Sequence, residues 1–136
     1  MNTSKLKSIL IRHEGLKLFP YVCTAGKLTI GIGRNLESRG ISYKEADFML
    51  NNDIQEALTE LEGIFPDFDT YSENQQIALV DMVFNLGVTG FLGFKGMIKE
   101  IQVRNWEGAS KEALDSLGAK QVGVRANEIS WMLKEG

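Results

Sequence analysis

His13-Glu14-Gly15-Leu16, then Cys23-Thr24-Ala25-Gly26-Lys27-Leu28-Thr29-Ile30-Gly31-Ile32-Gly33-Arg34, is the stretch on which the fold turns. A helical period runs into it and a strand period runs out of it. Leu6, Ile9, Leu10 and His13 recur at helical spacing, which predicts an amphipathic helix over residues 3–14 with Gly15 as its stop. Over residues 17–34 the period changes. Leu18, Phe19 and Tyr21, then Leu28, Ile30 and Ile32, predict two or three short strands around a Thr24-Ala25-Gly26 turn. Gly31 and Gly33 inside that pattern predict a close backbone approach or a bulge. Glu14 sits at the helix exit, where its side chain can project into a cleft. Cys23 follows nine residues later and Thr29 six after that.

Beyond Arg34 the chain turns helical. Asn35 to Gly40 reads as a polar loop, and Ser42-x-x-Glu45 is a capping box that opens a long helix to about Gly63. Ala46, Leu50, Ile54, Ala57 or Leu58, and Leu61 mark the stripe it should bury. Pro66 and two Asp residues make a connector. Ser72-x-x-Gln75 caps the next helix, which is apolar on nearly every side from Ile77 to Leu86 and should end at Gly87. Three shorter helices are expected at about 90–101, 105–116 and 121–134. The fold class is therefore α+β and mostly helical, in a single domain over 1–136. It comprises a small β lobe at about 15–40, a bridging helix at about 42–63, a helical lobe at about 64–136, and a cleft between the lobes.

A chain of 136 residues is large enough for one real core, and its composition is that of an ordinary globular domain. The formal charge of −3 carries no basic nucleic-acid footprint. The charge is unevenly spread. Residues 1–40 hold seven cations against Glu14 and Glu37, net +5, whereas residues 41–80 are net −8. A basic lobe can attract an anionic polymer; the plain alternative is a solvated acidic helix. The single cysteine excludes an intramolecular disulfide, which suits a reducing compartment. Met1 to Arg12 holds no uninterrupted apolar stretch of signal-peptide or anchor length, so neither self-export by a standard leader nor membrane insertion is expected.

Glu14 is the only acid in the first 36 residues and lies beside Leu16 and Leu18. General acid catalysis of bond cleavage needs one group to protonate the leaving atom and a second group to assist the attack. The acid must stay protonated near neutral pH, usually through burial. Glu14 fits that role, or is a surface carboxylate paired with a cation. Cys23 is either a small buried hydrophobe or a thiol whose ionisation neighbouring cations such as Lys27 and Arg34 would favour. Thr29 is either a β-branched strand former or a hydroxyl that donates to and accepts from a water. Asp81 and Asn85, four apart, share a face of the apolar helix with Phe84 nearby. Asp81 is the reserve second carboxylate should Cys23 prove inert. His13, the only histidine, makes neither a metal site with one Cys nor a Ser/His/Asp triad, so no metal and no cofactor are expected.

The acid, Cys, Thr and glycine order of 14–34 resembles the catalytic stretch of the phage-type lysozymes, glycoside hydrolase family 24. Asp81-Met82-Val83-Phe84-Asn85-Leu86-Gly87 with Gly90 to Phe94 resembles that family's central helix, and Ser116 to Ala126 its late helix-turn-helix. The resemblance implies a two-lobed muramidase that breaks the bond between N-acetylmuramic acid and N-acetylglucosamine. It implies catalysis by Glu14 as acid, with Cys23 where most members carry Asp and Thr29 holding the water. It further implies sugar contacts from Asn35 and Phe84, and an Arg125 that approaches the catalytic Glu, with Asp81 in support. It also implies an endolysin, a monomer, that waits in the host bacterial cytoplasm. A holin-type partner would then admit it to the periplasm and cell wall. The alternatives are a lytic transglycosylase on the same bond or a peptidoglycan-binding protein that has lost catalysis. The loop between Arg34 and Ser42 is shorter than in the T-even phage members. Gly118 and Val124 stand where Trp and Asn are frequent, which predicts unfilled space at Gly118; Gly96, inside a helical pattern, predicts the same.

Overall fold

The computed structural model describes residues 1–120 and 124–136, Ala119 and Lys120 by their backbone alone. Two compact units divide the chain, residues 1–48 and 49–136.

The first unit opens with α1 (Thr3–Glu14). The Asn2 side chain accepts the Lys5 N–H at 3.0 Å. Gly15, at φ 79, ends the helix and donates its N–H to Ile11 O at 2.7 Å. Only glycine adopts that backbone without strain, so the stop read from the sequence has a steric basis. Three antiparallel strands follow in the order β1-β2-β3: β1 (Lys17–Val22), β2 (Leu28–Gly31) and β3 (Arg34–Asn35). Tyr21 faces Thr29 and Val22 faces Leu28, but Lys17 faces Gly31, so the register shifts between Lys17 and Tyr21. The irregularity thus lies in β1 rather than at the glycines. The hairpin turn closes with Cys23 N–H on Lys27 O at 2.9 Å and Gly26 N–H on Cys23 O at 2.8 Å.

The expected polar loop after Asn35 is instead a one-turn helix, α2 (Leu36–Arg39). Two side chains nucleate it. Asn35 Oδ1 accepts the Ser38 N–H at 3.1 Å, and Glu37 Oε1 reaches back to accept the Leu28 N–H at 2.9 Å. The capping box then opens α3 (Tyr43–Ile64) as predicted. Ser42 Oγ accepts the Glu45 N–H at 3.1 Å, and Glu45 Oε1 accepts the Ser42 N–H at 2.9 Å. Thr29 is the one buried residue of this unit. Leu18 and Phe19 are 78% and 82% exposed, so caps, turns and ion pairs rather than an apolar core hold it.

The core belongs to the second unit. The stripe of α3 is buried only at Ala57 and Leu61; Ile54 and Leu58 are half-buried, while Ala46 and Leu50 are exposed, contrary to the sequence reading. Leu50, Ile54 and Leu58 instead line an apolar groove of about 450 Å³ with Ile77, Val80 and Phe84. A 3-10 turn (Phe68–Thr70) leads to α4 (Glu73–Leu92). The predicted Ser72–Gln75 capping box is formed, and Gln75 Nε2 also donates to Leu133 O at 3.3 Å. Helix α4 buries Ala78, Leu79 and Met82 completely, so its apolar length serves the core. Gly87 (φ 72, ψ 165) is non-helical, so the first run of α4 stops there as the sequence reading expects, and a short helical segment continues to Leu92. The helix expected over about 90–101 is divided between that segment and α5 (Lys95–Gln102), with Phe94 anchored in the core between them. Helices α6 (Trp106–Lys120) and α7 (Val124–Glu135) pack on each other and on α5 and α4. Residues 121–123, where the sequence reading begins its last helix and part of the resemblance falls, lie outside the described residues.

Around Tyr71 the aromatic rings interlock edge to face, with Phe65 at 5.9 Å and Trp106 at 4.8 Å. The Tyr71 hydroxyl donates to Asp67 at 3.0 Å, and Arg104 bridges Asp67 while lying over the Tyr71 ring. Burial, then the Asp67 carboxylate, pushes the phenol well above its usual range. Gly118 corrects the expected void. It is exposed on α6 with nothing within 4 Å of where a Cβ would stand, so it is a surface position. At Gly96 the space is filled rather than empty, because a Cβ there would lie 2.7 Å from Glu112 Oε2.

Candidate active site

The first unit contains Glu14, Cys23 and Thr29. Glu14 is the last residue of α1, delivered there by the Gly15 stop. Its side chain lies across the turn between β2 and β3, where a Cβ on Gly33 would meet Oε2 at 2.7 Å, Cδ at 3.0 Å and Cγ at 3.2 Å. Gly33 has φ +68. The close approach expected from the two glycines is therefore real at Gly33, and its partner is the candidate acid. Glu14 is solvent-exposed, so the burial expected of a general acid is not provided by the protein around it.

Cys23 opens the hairpin turn and is half-buried. Thr29, 3% exposed, stands on β2 opposite Tyr21 and Asn35. Its hydroxyl donates to Lys27 O at 2.8 Å. The thiol is held below its usual pKa by hydrogen bonding with the Lys27 main chain, then with the Thr29 hydroxyl, then with the Ala25 main chain. Cations are not the cause, contrary to the sequence reading. Lys27 faces Glu37 at 3.9 Å, and Arg34 donates to Glu45 at 2.8 Å and to Gly40 O at 3.2 Å. Arg34, then the Ser42 main chain and hydroxyl, holds the Glu45 carboxyl at about 2.

Asn35 spends its Oδ1 on capping α2. In the second unit Phe84 is 50% exposed and lines the apolar groove together with Asp81. Arg125 donates through Nε to Asp81 Oδ1 at 2.9 Å and brings a second nitrogen to the same oxygen at 2.8 Å, tying α7 to α4. Asp81, the reserve carboxylate, is thus charge-paired. Among the described residues no group of three His, Cys, Asp or Glu side chains is placed to hold a metal.

Sequence reasoning missed Glu37, and read Glu45 as a helix cap without its bond to Arg34. The signal of Glu37 is weak because it acts through a main-chain N–H group, which has no periodicity.

The model of the family described as phage lysozyme matches residues 11–124. An endolysin of Acyrthosiphon pisum secondary endosymbiont phage 1 is 34% identical over 92% of this chain and 86% of its own length. Probable T4-type lysozyme 1 of Dictyostelium discoideum is 28% identical over 98% of this chain and 95% of its own. The pre-baseplate central spike protein Gp5 of Enterobacteria phage T4 is 25% identical over 96% of this chain, which covers 28% of that protein. The matched span contains Glu14, the Cys23–Thr29 hairpin and the α4 helix, and on that evidence the chain belongs to the phage lysozyme family.

Proposed function

We propose that this chain is an endolysin, a glycoside hydrolase that cleaves the β-1,4 bond between N-acetylmuramic acid and N-acetylglucosamine, with Glu14 as its acid. The observation that carries the residue assignment is the seat of Glu14. A lone carboxylate is laid against a glycine backbone at the end of a capped helix, in the same unit as the Cys23–Thr29 pair. Glu14 gives its proton to the bridging oxygen as the glycosidic bond breaks. Bound sugar would exclude water from the carboxyl, which the free protein leaves exposed.

Cys23 and Thr29 serve the other face. The Thr29 hydroxyl has one proton and two acceptors, the Lys27 carbonyl and the Cys23 sulfur. Bonded to the carbonyl, it offers lone pairs to an attacking water. Turned to sulfur, it favours the thiolate that takes the water's proton. Asn35 and Phe84 contact the glycan, and the Arg125–Asp81 pair supports α4 beneath Phe84.

The same reading has the enzyme act as a monomer. It accumulates in the host cytoplasm and reaches the periplasm and wall through a holin-type membrane partner. The name endolysin borne by the phage relative supports the peptidoglycan substrate. Expression in a bacterial host with and without a pore-forming partner tests the route to the wall, lysis being expected only with the partner. The activity itself is tested by reducing-sugar release from purified peptidoglycan. Release that disappears in Glu14→Gln is the expected result. Anhydromuramic products would indicate a transglycosylase, and wall binding without release a disabled enzyme.

A further inference from the structure

We propose that Gly33 is a positioning residue for Glu14: its missing side chain is the seat on which the carboxyl rests. This rests on the reading of Glu14 as the acid. Three successive atoms of the Glu14 side chain, Cγ, Cδ and Oε2, lie 3.2, 3.0 and 2.7 Å from the point where a Cβ would stand. The side chain therefore lies along the glycine rather than touching it at the tip. A methyl group there would drive the carboxyl off the turn. Because the displaced atoms end a flexible side chain, the fold would lose little and the carboxyl would lose its place. A misplacement of about 1 Å at a reacting group costs on the order of 10²-fold in rate.

The same turn carries its own control. Gly31 has φ +70, almost the value of Gly33, but nothing lies within 4 Å of its Cβ position. Alanine at either position meets an unfavourable positive φ, +70 at Gly31 and +68 at Gly33; only alanine at 33 meets Glu14.

The test compares the full chain with Gly31→Ala, Gly33→Ala, Glu14→Ala, Glu14→Gln and the double variant Gly33→Ala/Glu14→Ala. Turnover is measured on soluble peptidoglycan fragments, and stability by denaturant unfolding. Gly33→Ala is expected to lower kcat about 10²-fold below Gly31→Ala with KM within about twofold. The two alanine variants should differ little in stability. Any extra destabilisation in Gly33→Ala should vanish in the Glu14→Ala background. Equal kcat in the two alanine variants overturns the proposal. So does a fall in Gly33→Ala carried wholly by KM. Full activity in Glu14→Gln overturns instead the acid reading on which the proposal rests, a separate failure with its own variant.

Discussion

In the proposed mechanism Cys23 is the residue at which this chain departs from the carboxylate pair of a typical glycosidase. A thiol can replace a carboxylate only if it ionises near the working pH. The hairpin turn meets that need with hydrogen bonds from the Lys27 main chain and Thr29 rather than with a cation. The chain has a single cysteine, so its titration is clean. Alkylation by iodoacetamide, followed against pH, should show a midpoint below that of a free thiol, about 8.5. Thr29→Val should move the midpoint upward; an unmoved midpoint would remove Thr29 from the account. Cys23→Asp, which puts a carboxylate at this position, should retain muramidase activity, and Cys23→Ala should lose most of it.

At the scale of elements, the first unit is held by end caps. Arg34 joins β3 to the start of α3 by its bond to Glu45. A carboxyl held at about 2 in the folded chain, against an ordinary 4.5, binds its proton more readily once unfolded. The stability it contributes is therefore complete above about pH 4.5 and is lost as the pH falls toward 2. Arg34→Ala should show its largest stability deficit near neutral pH, shrinking through that acid window. A deficit independent of pH would mean that Arg34 acts by packing alone. The Arg125–Asp81 pair is about two-fifths exposed on each side, so Arg125→Met should cost no more than about 1 kcal/mol in thermal unfolding.

These element ends also mark how far the sequence could be read. Both capping boxes, the Gly15 stop and the hairpin were legible because each rests on local spacing and turn chemistry. Helix α2 was not, since its four residues look like part of a polar loop until Glu37 is seen to bond across to Leu28. The break at Gly87 was legible because glycine takes the positive φ that interrupts a helix, whereas the division of the next helix around Phe94 was not, since Phe91 and Phe94 turn into the core there. The stripe of α3 read correctly where the second unit packs on it, at Ala57 and Leu61, and failed at Ala46 and Leu50. Of the candidate site, Glu14, Cys23 and Thr29 were singled out by order and spacing. Glu37 escaped because it acts on a main-chain group, and the Arg34 bond of Glu45 escaped because its partners lie eleven residues apart with no shared period.

At the scale of the molecule, all the buried apolar side chains belong to residues 57–133, while the candidate catalytic residues belong to the first 48. Stability and chemistry are thus assigned to different stretches. Leu79→Ala should destabilise by about 2–5 kcal/mol and leave turnover of the folded enzyme within a small factor. Amide hydrogen exchange should be slowest in α4, α6 and α7 and faster throughout β1–β3, through local opening. Equal protection in both units would contradict this division. The measurement that bears most directly on the central claim is digestion of purified peptidoglycan in heavy-oxygen water, with products read by mass spectrometry. The account predicts labelled reducing muramic acid ends from the intact chain and none from Glu14→Gln. Unlabelled anhydro ends, or labelled ends undiminished in Glu14→Gln, would contradict it.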